Sequence, residues 1–131
     1  MQPNYLYMES KNQIDEKLKG ELQHLCEEES QVTIHCSILT TYTFEELRIS
    51  KSTSLIDQNS GKKSILIHAE NIPFYPQWKS CKRGEHHFTL FFKGLPKDCK
   101  VFDLFEDIPE FGGFFKENIQ RNSSDVYNLK L

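Results

Sequence analysis

The residues with the greatest chemical potential in this chain are a thiol and two imidazoles that lie close in sequence. Cys81 precedes His86 and His87, and nucleophilic catalysis needs a thiol or hydroxyl with an imidazole in reach. The intervening Lys82-Arg83-Gly84-Glu85 segment is typical of an exposed loop, and the sequence has no Gly-x-Ser-x-Gly motif. We therefore predict no catalytic residues, and a small hydrolase or metal-dependent enzyme stays the less favoured alternative.

Metal ligation is the second chemistry to consider. The chain has four cysteines, at Cys26, Cys36, Cys81 and Cys99. No two of them have the CxxC spacing of zinc or thioredoxin-type sites, and adjacent His86 and His87 would point to opposite faces of a strand. We predict no metal and no cofactor, and we interpret the cysteines as buried or half-buried thiols, with one disulfide allowed in an oxidising compartment.

Acidic side chains gather near the end of one predicted strand, at Asp103, Glu106, Asp107 and Glu110. Glycoside hydrolysis needs two carboxyl groups held roughly 5 to 9 Å apart, and nothing in this spacing fixes such a pair. Acidic loops can also bind calcium through oxygens, but the sequence has no Asp-x-Asp-x-Asp ladder. We interpret these carboxylates as solubilising groups.

Composition is that of a single globular domain. The 131 residues include ten Phe, five Tyr and one Trp, and 16 basic against 19 acidic side chains give a formal charge of −3. The interspersed signs argue against nucleic-acid binding, which clustered Lys and Arg usually announce. No apolar run reaches the length of about eighteen residues that predicts membrane insertion. Because residues 1–10 lack the features of an export signal, we expect a cytoplasmic location if Met1 is the native start, and the envelope or periplasm if a signal was removed.

Hydrophobic periodicity predicts the elements that position these groups. Apolar residues recur at three- or four-residue intervals through residues 11–28, which predicts an N-terminal amphipathic helix. From Gln31 the period falls to two, which predicts strands with one buried face. Asn59 and Gly61 are expected to supply the positive φ of a tight hairpin, and Trp78 is interpreted as a core plug. We predict one domain over 1–131, with an arm and helix at 1–30 and an immunoglobulin-like antiparallel β-sandwich of about seven strands at 31–131.

Several motifs resemble a known family. They are Arg48-Ile49-Ser50, Thr53-x-Leu55-Ile56-Asp57, Gly61-Lys62, Ala69-Glu70-Asn71-Ile72-Pro73, Phe88-Thr89-Leu90-x-Phe92, Leu95-Pro96-Lys97 and Lys100-x-Phe102-Asp103-Leu104-x-Glu106. Their order is similar to that of uncharacterised small bacterial β-sandwich domains found alone or attached to other domains in exported or envelope proteins. The resemblance implies an immunoglobulin-like architecture and a non-catalytic binding or accessory role with a protein partner. The predicted N-terminal helix and the lack of a signal or attached domain depart from that family.

One predicted loop stands out as a candidate contact site. Residues 109–115 read Pro-Glu-Phe-Gly-Gly-Phe-Phe, so Phe111, Phe114 and Phe115 surround a glycine pair. Such a loop either closes an open end of the sandwich or presents an exposed aromatic surface. We expect at least one of the three rings to be structural, and we predict partner binding at this loop, with Tyr75 and Trp78 as the second choice. A small inhibitor or immunity-type protein is the alternative function.

The cysteine spacing makes a direct prediction about metal content. The purified protein should carry no stoichiometric zinc, and a chelator should leave its melting temperature unchanged, because no cysteine pair has a zinc-ligand spacing. Elemental analysis and thermal unfolding with and without chelator test this. Zinc near one equivalent would refute it.

Overall fold

The computed structural model describes residues 30–41 and 45–131. The chain divides after Ser30 into two units, and Gln31–Leu131 is the second. The helix predicted for residues 11–28 and the thiol of Cys26 lie outside the described residues.

The second unit is mainly β, as the period-two pattern predicts, and its described residues contain no helix. The described residues form nine strands where about seven were predicted. The strands are β1 (Gln31–Thr40), β2 (Glu45–Leu47), β3 (Thr53–Asp57), β4 (Lys63–Glu70), β5 (Lys79–Cys81), β6 (Gly84–Lys93), β7 (Val101–Glu106), β8 (Phe115–Gln120) and β9 (Val126–Lys130).

Seven of these strands form one sheet, in the order β8-β7-β3-β4-β6-β1-β9. All neighbours in it are antiparallel except β1 and β9, which run parallel from the Thr33–Val126 pair onward. The short strands β2 and β5 pair separately as an antiparallel ribbon. Strands β5 and β8 were not predicted, because β5 has only three residues and β8 buries a single side chain, that of Ile119.

The sheet is curled, so that its inner face encloses the core. Phe102 on β7 and Tyr127 on β9 lie far apart in the strand order, yet their ring centroids are 5.1 Å apart in an edge-to-face contact. Val32, Ile34 and Cys36 on β1 are buried in turn, as their alternation predicts. The inner positions of β6 and β7 contribute more of the core, through Phe88, Leu90, Phe92, Phe102 and Leu104.

An arginine ties the connection between β8 and β9 to the turn before β7. Arg121 forms two hydrogen bonds of 3.1 Å with the carboxylate of Asp125 and donates to the carbonyl oxygen of Cys99 at 3.3 Å. Tyr127 donates its hydroxyl to the same carboxylate at 2.8 Å, and burial raises the pKa of this tyrosine to about 12. A bidentate ion pair therefore closes the connection between β8 and β9, and the hydrogen bond to Cys99 ties it to the turn before β7.

The hairpin between β3 and β4 depends on a buried carboxylate. Asp57 accepts hydrogen bonds from the Ser60 hydroxyl at 2.7 Å and from the Asn59 backbone N–H at 3.0 Å. The Ser60 bond is the main reason that the pKa of Asp57 lies below its usual range, although burial opposes the shift. The turn has positive φ at Gly61 but not at Asn59, so the role expected for Asn59 is wrong.

The depressed pKa of Asp57 predicts a pH dependence of stability. A group whose pKa is lower in the folded state than in the unfolded state stabilises the fold above its unfolded value, about 4, and this contribution is lost as the pH falls through the folded value. We expect Asp57→Asn to cost about 1 kcal/mol or more at pH 7 and to flatten the acid limb of the stability curve. Denaturant midpoints measured from neutral to acidic pH test this.

The exposed carboxylate of Asp98 provides the matched control. Asp98→Asn should leave both the midpoint at neutral pH and the acid limb as in the parent protein. An acid limb that keeps its slope in Asp57→Asn would contradict the assignment.

Candidate functional site

A groove of about 720 Å³ lies where the end of β1, strand β2 and the loop from 107 to 114 meet. Half-buried Ile38, Leu47 and Phe114 line it and also pack against the core. Exposed aromatic side chains also line it, and they include Tyr75 and Phe111. The groove therefore combines a base fixed by the core with aromatic rings that water reaches.

Four of the five side chains predicted for a partner site line this groove: Tyr75, Trp78, Phe111 and Phe114. Residues 75 and 78 precede β5, whereas residues 111 and 114 precede β8. The fold therefore brings the two contact sites predicted from the sequence together in one groove. Phe115 is the exception. It lies on β8, half-exposed, with its ring edge-on to Phe105 at 6.0 Å.

Trp78 is not a core plug, because half of its surface (50%) is exposed. The guanidinium of Arg48 lies over its ring, 3.8 Å from the centroid, and 4.5 Å from the centroid of Tyr75. Cation–π contacts of this kind are each worth about 0.5–1 kcal/mol at exposed sites. The tryptophan is thus ordered at the surface by a stacked cation and needs no enclosure by the core.

The backbone around Ile49 positions this stack. Ile49 is fully buried, and its N–H donates to the carbonyl oxygen of Pro73 at 2.9 Å. Tyr75 N–H in turn donates to the carbonyl oxygen of Ile49 at 2.9 Å. These two bonds hold Arg48 next to Tyr75. Nothing in the local sequence predicts that Arg48 stacks on Tyr75 and Trp78.

Glu106 anchors the loop that carries Phe111. Its side chain is buried, and its two oxygens accept the backbone N–H groups of Ser50 at 2.8 Å and Phe114 at 3.1 Å. The Ser52 hydroxyl donates to the carbonyl oxygen of Asp107 at 2.6 Å, which adds a second tie between the same two loops. The interpretation of Glu106 as a solubilising group is therefore wrong, because a carboxylate with two backbone donors is a structural staple.

The glycine pair gives this loop its path. Gly112 has a φ of +92°, a conformation that residues with a Cβ rarely adopt. Gly113 approaches the backbone so closely that a Cβ there would lie 2.7 Å from the carbonyl oxygen of Glu106 and 3.1 Å from Ile108 Cγ1. The loop is consequently held against the end of β7, and its tip points away from the sheet.

The two phenylalanines of the loop have different environments. Phe114 is half-buried and its ring centroid lies 5.7 Å from that of Phe88 in the core. Phe111 is fully exposed, with a relative accessibility of 106%. Phe114 therefore packs against the core, as expected for at least one of the three rings. Phe111 is not covered by the rest of the described chain.

The charge around the groove is predominantly negative. Among the described residues, the carboxylates of Glu45, Glu46, Asp107 and Glu110 line it together with a single cation, Arg48, in addition to the buried carboxylate of Glu106. Glu45 Oε2 is shielded from solvent and has no hydrogen-bond partner among the residues that the structure describes. An acceptor buried without a partner costs about 1–3 kcal/mol, so the groove contains an unsatisfied acceptor.

The thiols and imidazoles singled out in the sequence have other partners. Cys36, Cys81 and Cys99 are free and buried, and burial raises the pKa of Cys36 to about 12 and that of Cys99 to about 11. The Cys81 thiol lies 3.8 Å from the carbonyl oxygen of Lys79, and the imidazole of His86 contacts the carbonyl oxygen of Lys82. Thiols with raised pKa values are poor nucleophiles at neutral pH.

A second cleft, of about 600 Å³, lies over β1, β6 and β9, and most of the residues that line it are polar. Two histidines line it, but His35 Nδ1 is 3.0 Å from the Thr89 hydroxyl and His87 Nε2 is 3.6 Å from Glu85. Among residues 30–41 and 45–131, no group of three or more His, Cys, Asp or Glu side chains is placed to hold a metal ion.

Comparison with protein-family models, with curated proteins and with solved structures finds no match to this chain. The resemblance to small bacterial β-sandwich domains therefore stays a prediction. No helix in the described ranges is long and apolar enough to cross a membrane.

The Glu106 staple predicts a stability difference between two adjacent carboxylates. Glu106→Gln replaces one acceptor oxygen by an NH₂ group, so one of the two backbone N–H groups loses its partner, and the free energy of unfolding should fall by about 1–3 kcal/mol. The exposed side chain of Asp107 is the control, and Asp107→Asn should change stability by less than about 0.5 kcal/mol. Urea denaturation of both variants measures this, and equal midpoints would remove Glu106 as an anchor.

Proposed function

We propose that this chain is a non-catalytic binding module that engages a protein partner through the aromatic groove. The observation that carries the proposal is the full exposure of Phe111 at the tip of a loop that is itself anchored. A solvated phenyl ring adds nothing to folding, whereas aromatic side chains in such positions are the usual anchors of protein interfaces. Exposed Trp78 and Tyr75 line the same groove, so a partner would cover several aromatic rings together.

The rigidity of the groove supports this role. Glu106 fixes one loop through two backbone hydrogen bonds, and Arg48 fixes the two other rings by stacking on them. A surface that is ordered before binding loses less conformational entropy when the partner arrives. The aromatic rings are therefore presented in a geometry that favours association.

The non-catalytic part of the proposal draws support from the environments of the reactive groups. The described thiols are buried and two have raised pKa values, and the most buried carboxylate of the acidic cluster, Glu106, accepts two backbone hydrogen bonds. A general acid or base needs access to a substrate, and Glu106 has none of its oxygens free for that purpose.

We further propose that the curled sheet is a divergent immunoglobulin-like sandwich. Two observations support this. The first and last strands, β1 and β9, are parallel neighbours, and the Phe102–Tyr127 contact joins two limbs of the sheet across the core, as facing layers of a sandwich do. An experimentally determined structure, compared strand by strand with immunoglobulin-like domains, tests this part.

Replacement of the two loop phenylalanines separates binding from folding. Phe111→Ala should leave the free energy of unfolding within about 0.5 kcal/mol of the parent and weaken partner binding by about 2 kcal/mol or more. Phe114→Ala should lower stability by as much as about 3 kcal/mol, the lower end for buried Phe truncations, because its ring is only half-buried.

The measurements are denaturant midpoints and affinity for the partner isolated by affinity capture from the native cell. Phe115→Ala is the matched control, since that ring is exposed outside the groove, and it should keep full affinity. A partner that binds parent protein and Phe111→Ala equally well would show that the groove is not the binding site.

A further inference from the structure

We infer that the groove selects a cationic segment of its protein partner, one in which a Lys or Arg side chain lies beside an apolar side chain. This inference rests on the proposed function, because it names the chemistry of the partner at the same groove. It is carried by the juxtaposition of exposed aromatic rings, acidic side chains and one unsatisfied carboxylate oxygen around a single cavity.

The balance of charge in the groove is the first step. Glu106 adds negative charge, but it is set aside as a contact for a ligand because it is buried and both its oxygens already accept backbone N–H groups. The other acidic side chains are Glu45, Glu46, Asp107 and Glu110, against Arg48 as the single basic residue among the described residues that line the groove. A surface of this sign attracts basic segments and repels acidic ones, and such complementarity determines which partners dock.

Arg48 offsets only one of these four negative charges. Its guanidinium lies against the rings of Trp78 and Tyr75, at 3.8 and 4.5 Å from their centroids. Among the described residues, the arginine–carboxylate salt bridge is that of Arg121 with Asp125. The exposed side chains of Glu46, Asp107 and Glu110 are accessible to an incoming cation.

Glu45 provides the most specific feature. Its Oε2 atom is out of contact with solvent and without a donor among the described residues, while its side chain lines the groove. A buried acceptor gains a hydrogen bond when a donor reaches it, and an ammonium or guanidinium donor gives the stronger, charge-assisted bond. We assign Glu45 as the acceptor for the cationic side chain of the partner.

The aromatic rings define the second half of the recognised chemistry. Phe111 has no intramolecular cover, and half-buried Ile38 and Leu47 line the same cavity. An apolar side chain next to the cation would fill this part of the groove and exclude water from the ion pair, as the rim of an interface does around its anchors.

Charge also favours another protein over the N-terminal sequence of this chain as the source of the segment. Residues 1–29 contain seven acidic and three basic side chains. They carry the same sign of charge as the groove.

Trp78 makes a direct test available, because it is the only tryptophan in the chain and lines the groove. The probes are three short synthetic peptides with blocked ends that alternate Leu with Lys, with Glu or with Ser. Titration into the full chain is followed by Trp78 fluorescence. The Lys peptide should bind about tenfold or more tightly than either counterpart, and added salt should weaken its binding.

Variants assign the selectivity to the groove. Glu45→Gln should weaken binding of the Lys peptide by about tenfold and leave binding of the Ser peptide unchanged. The double variant Asp107→Asn with Glu110→Gln, at two exposed positions, should have the same two effects. Glu117→Gln is the matched control, because this exposed carboxylate lies on β8 away from the groove, and it should bind like the parent. The second variant keeps the test valid if Glu45→Gln proves unstable by circular dichroism.

The inference is overturned if none of the peptides changes Trp78 fluorescence, if the Ser or Glu peptide binds as tightly as the Lys peptide, or if Glu117→Gln weakens binding as much as the groove variants do. These failures are distinguishable from failure of the proposed function. The proposed function is tested by whether Phe111→Ala loses affinity for the captured partner. If that affinity is lost while the peptides show no charge selectivity, the proposed function stands and only the inference about the cationic segment fails.

Discussion

The hydrogen bonds accepted by the buried carboxylate of Glu106 are the interaction on which the groove end of this domain depends. Glu106 stands at the last position of β7 and accepts the N–H groups of Ser50 and Phe114, so one side chain joins the strand to two loops. Bonds to a charged acceptor are stronger than neutral ones, and the removal of one partner would leave a buried group unsatisfied. The groove exists because this carboxylate fixes both of those loops against the same strand.

The carboxylate can occupy that position only because the sheet curls around an apolar core. Inner residues such as Phe92 and Phe102 are fully buried, and the Phe102–Tyr127 contact brings β7 near β9. The loops that Glu106 joins lie at the end of β7. Their backbone donors and acceptors must then be satisfied locally, and the Glu106 oxygens and the Ser52 hydroxyl do so.

Local pattern predicted much of the fold but not the assembly of the groove. The alternation of Val32, Ile34 and Cys36 predicts β1 because each buried side chain is two residues from the next, whereas exposed polar β8 has no such signal. Trp78 was misjudged because Arg48, which stacks on it, lies far away in the chain. The sequence identified Phe111 as a candidate contact from the loop composition alone, but its convergence with Trp78 depends on tertiary structure, and so does the unsatisfied oxygen of Glu45.

The groove contains features that selection for folding stability alone would remove. A fully exposed Phe111, a half-exposed Trp78 and a carboxylate oxygen without a donor each depart from the rules that the rest of the domain obeys. Proteins break such rules at functional sites and compensate elsewhere. Here the compensation is adjacent, because the staple at Glu106 and the stacking of Arg48 order the loops that carry these side chains. Exposed or unsatisfied groups held by ordered neighbours are consistent with a surface completed by a partner rather than with a poorly packed loop.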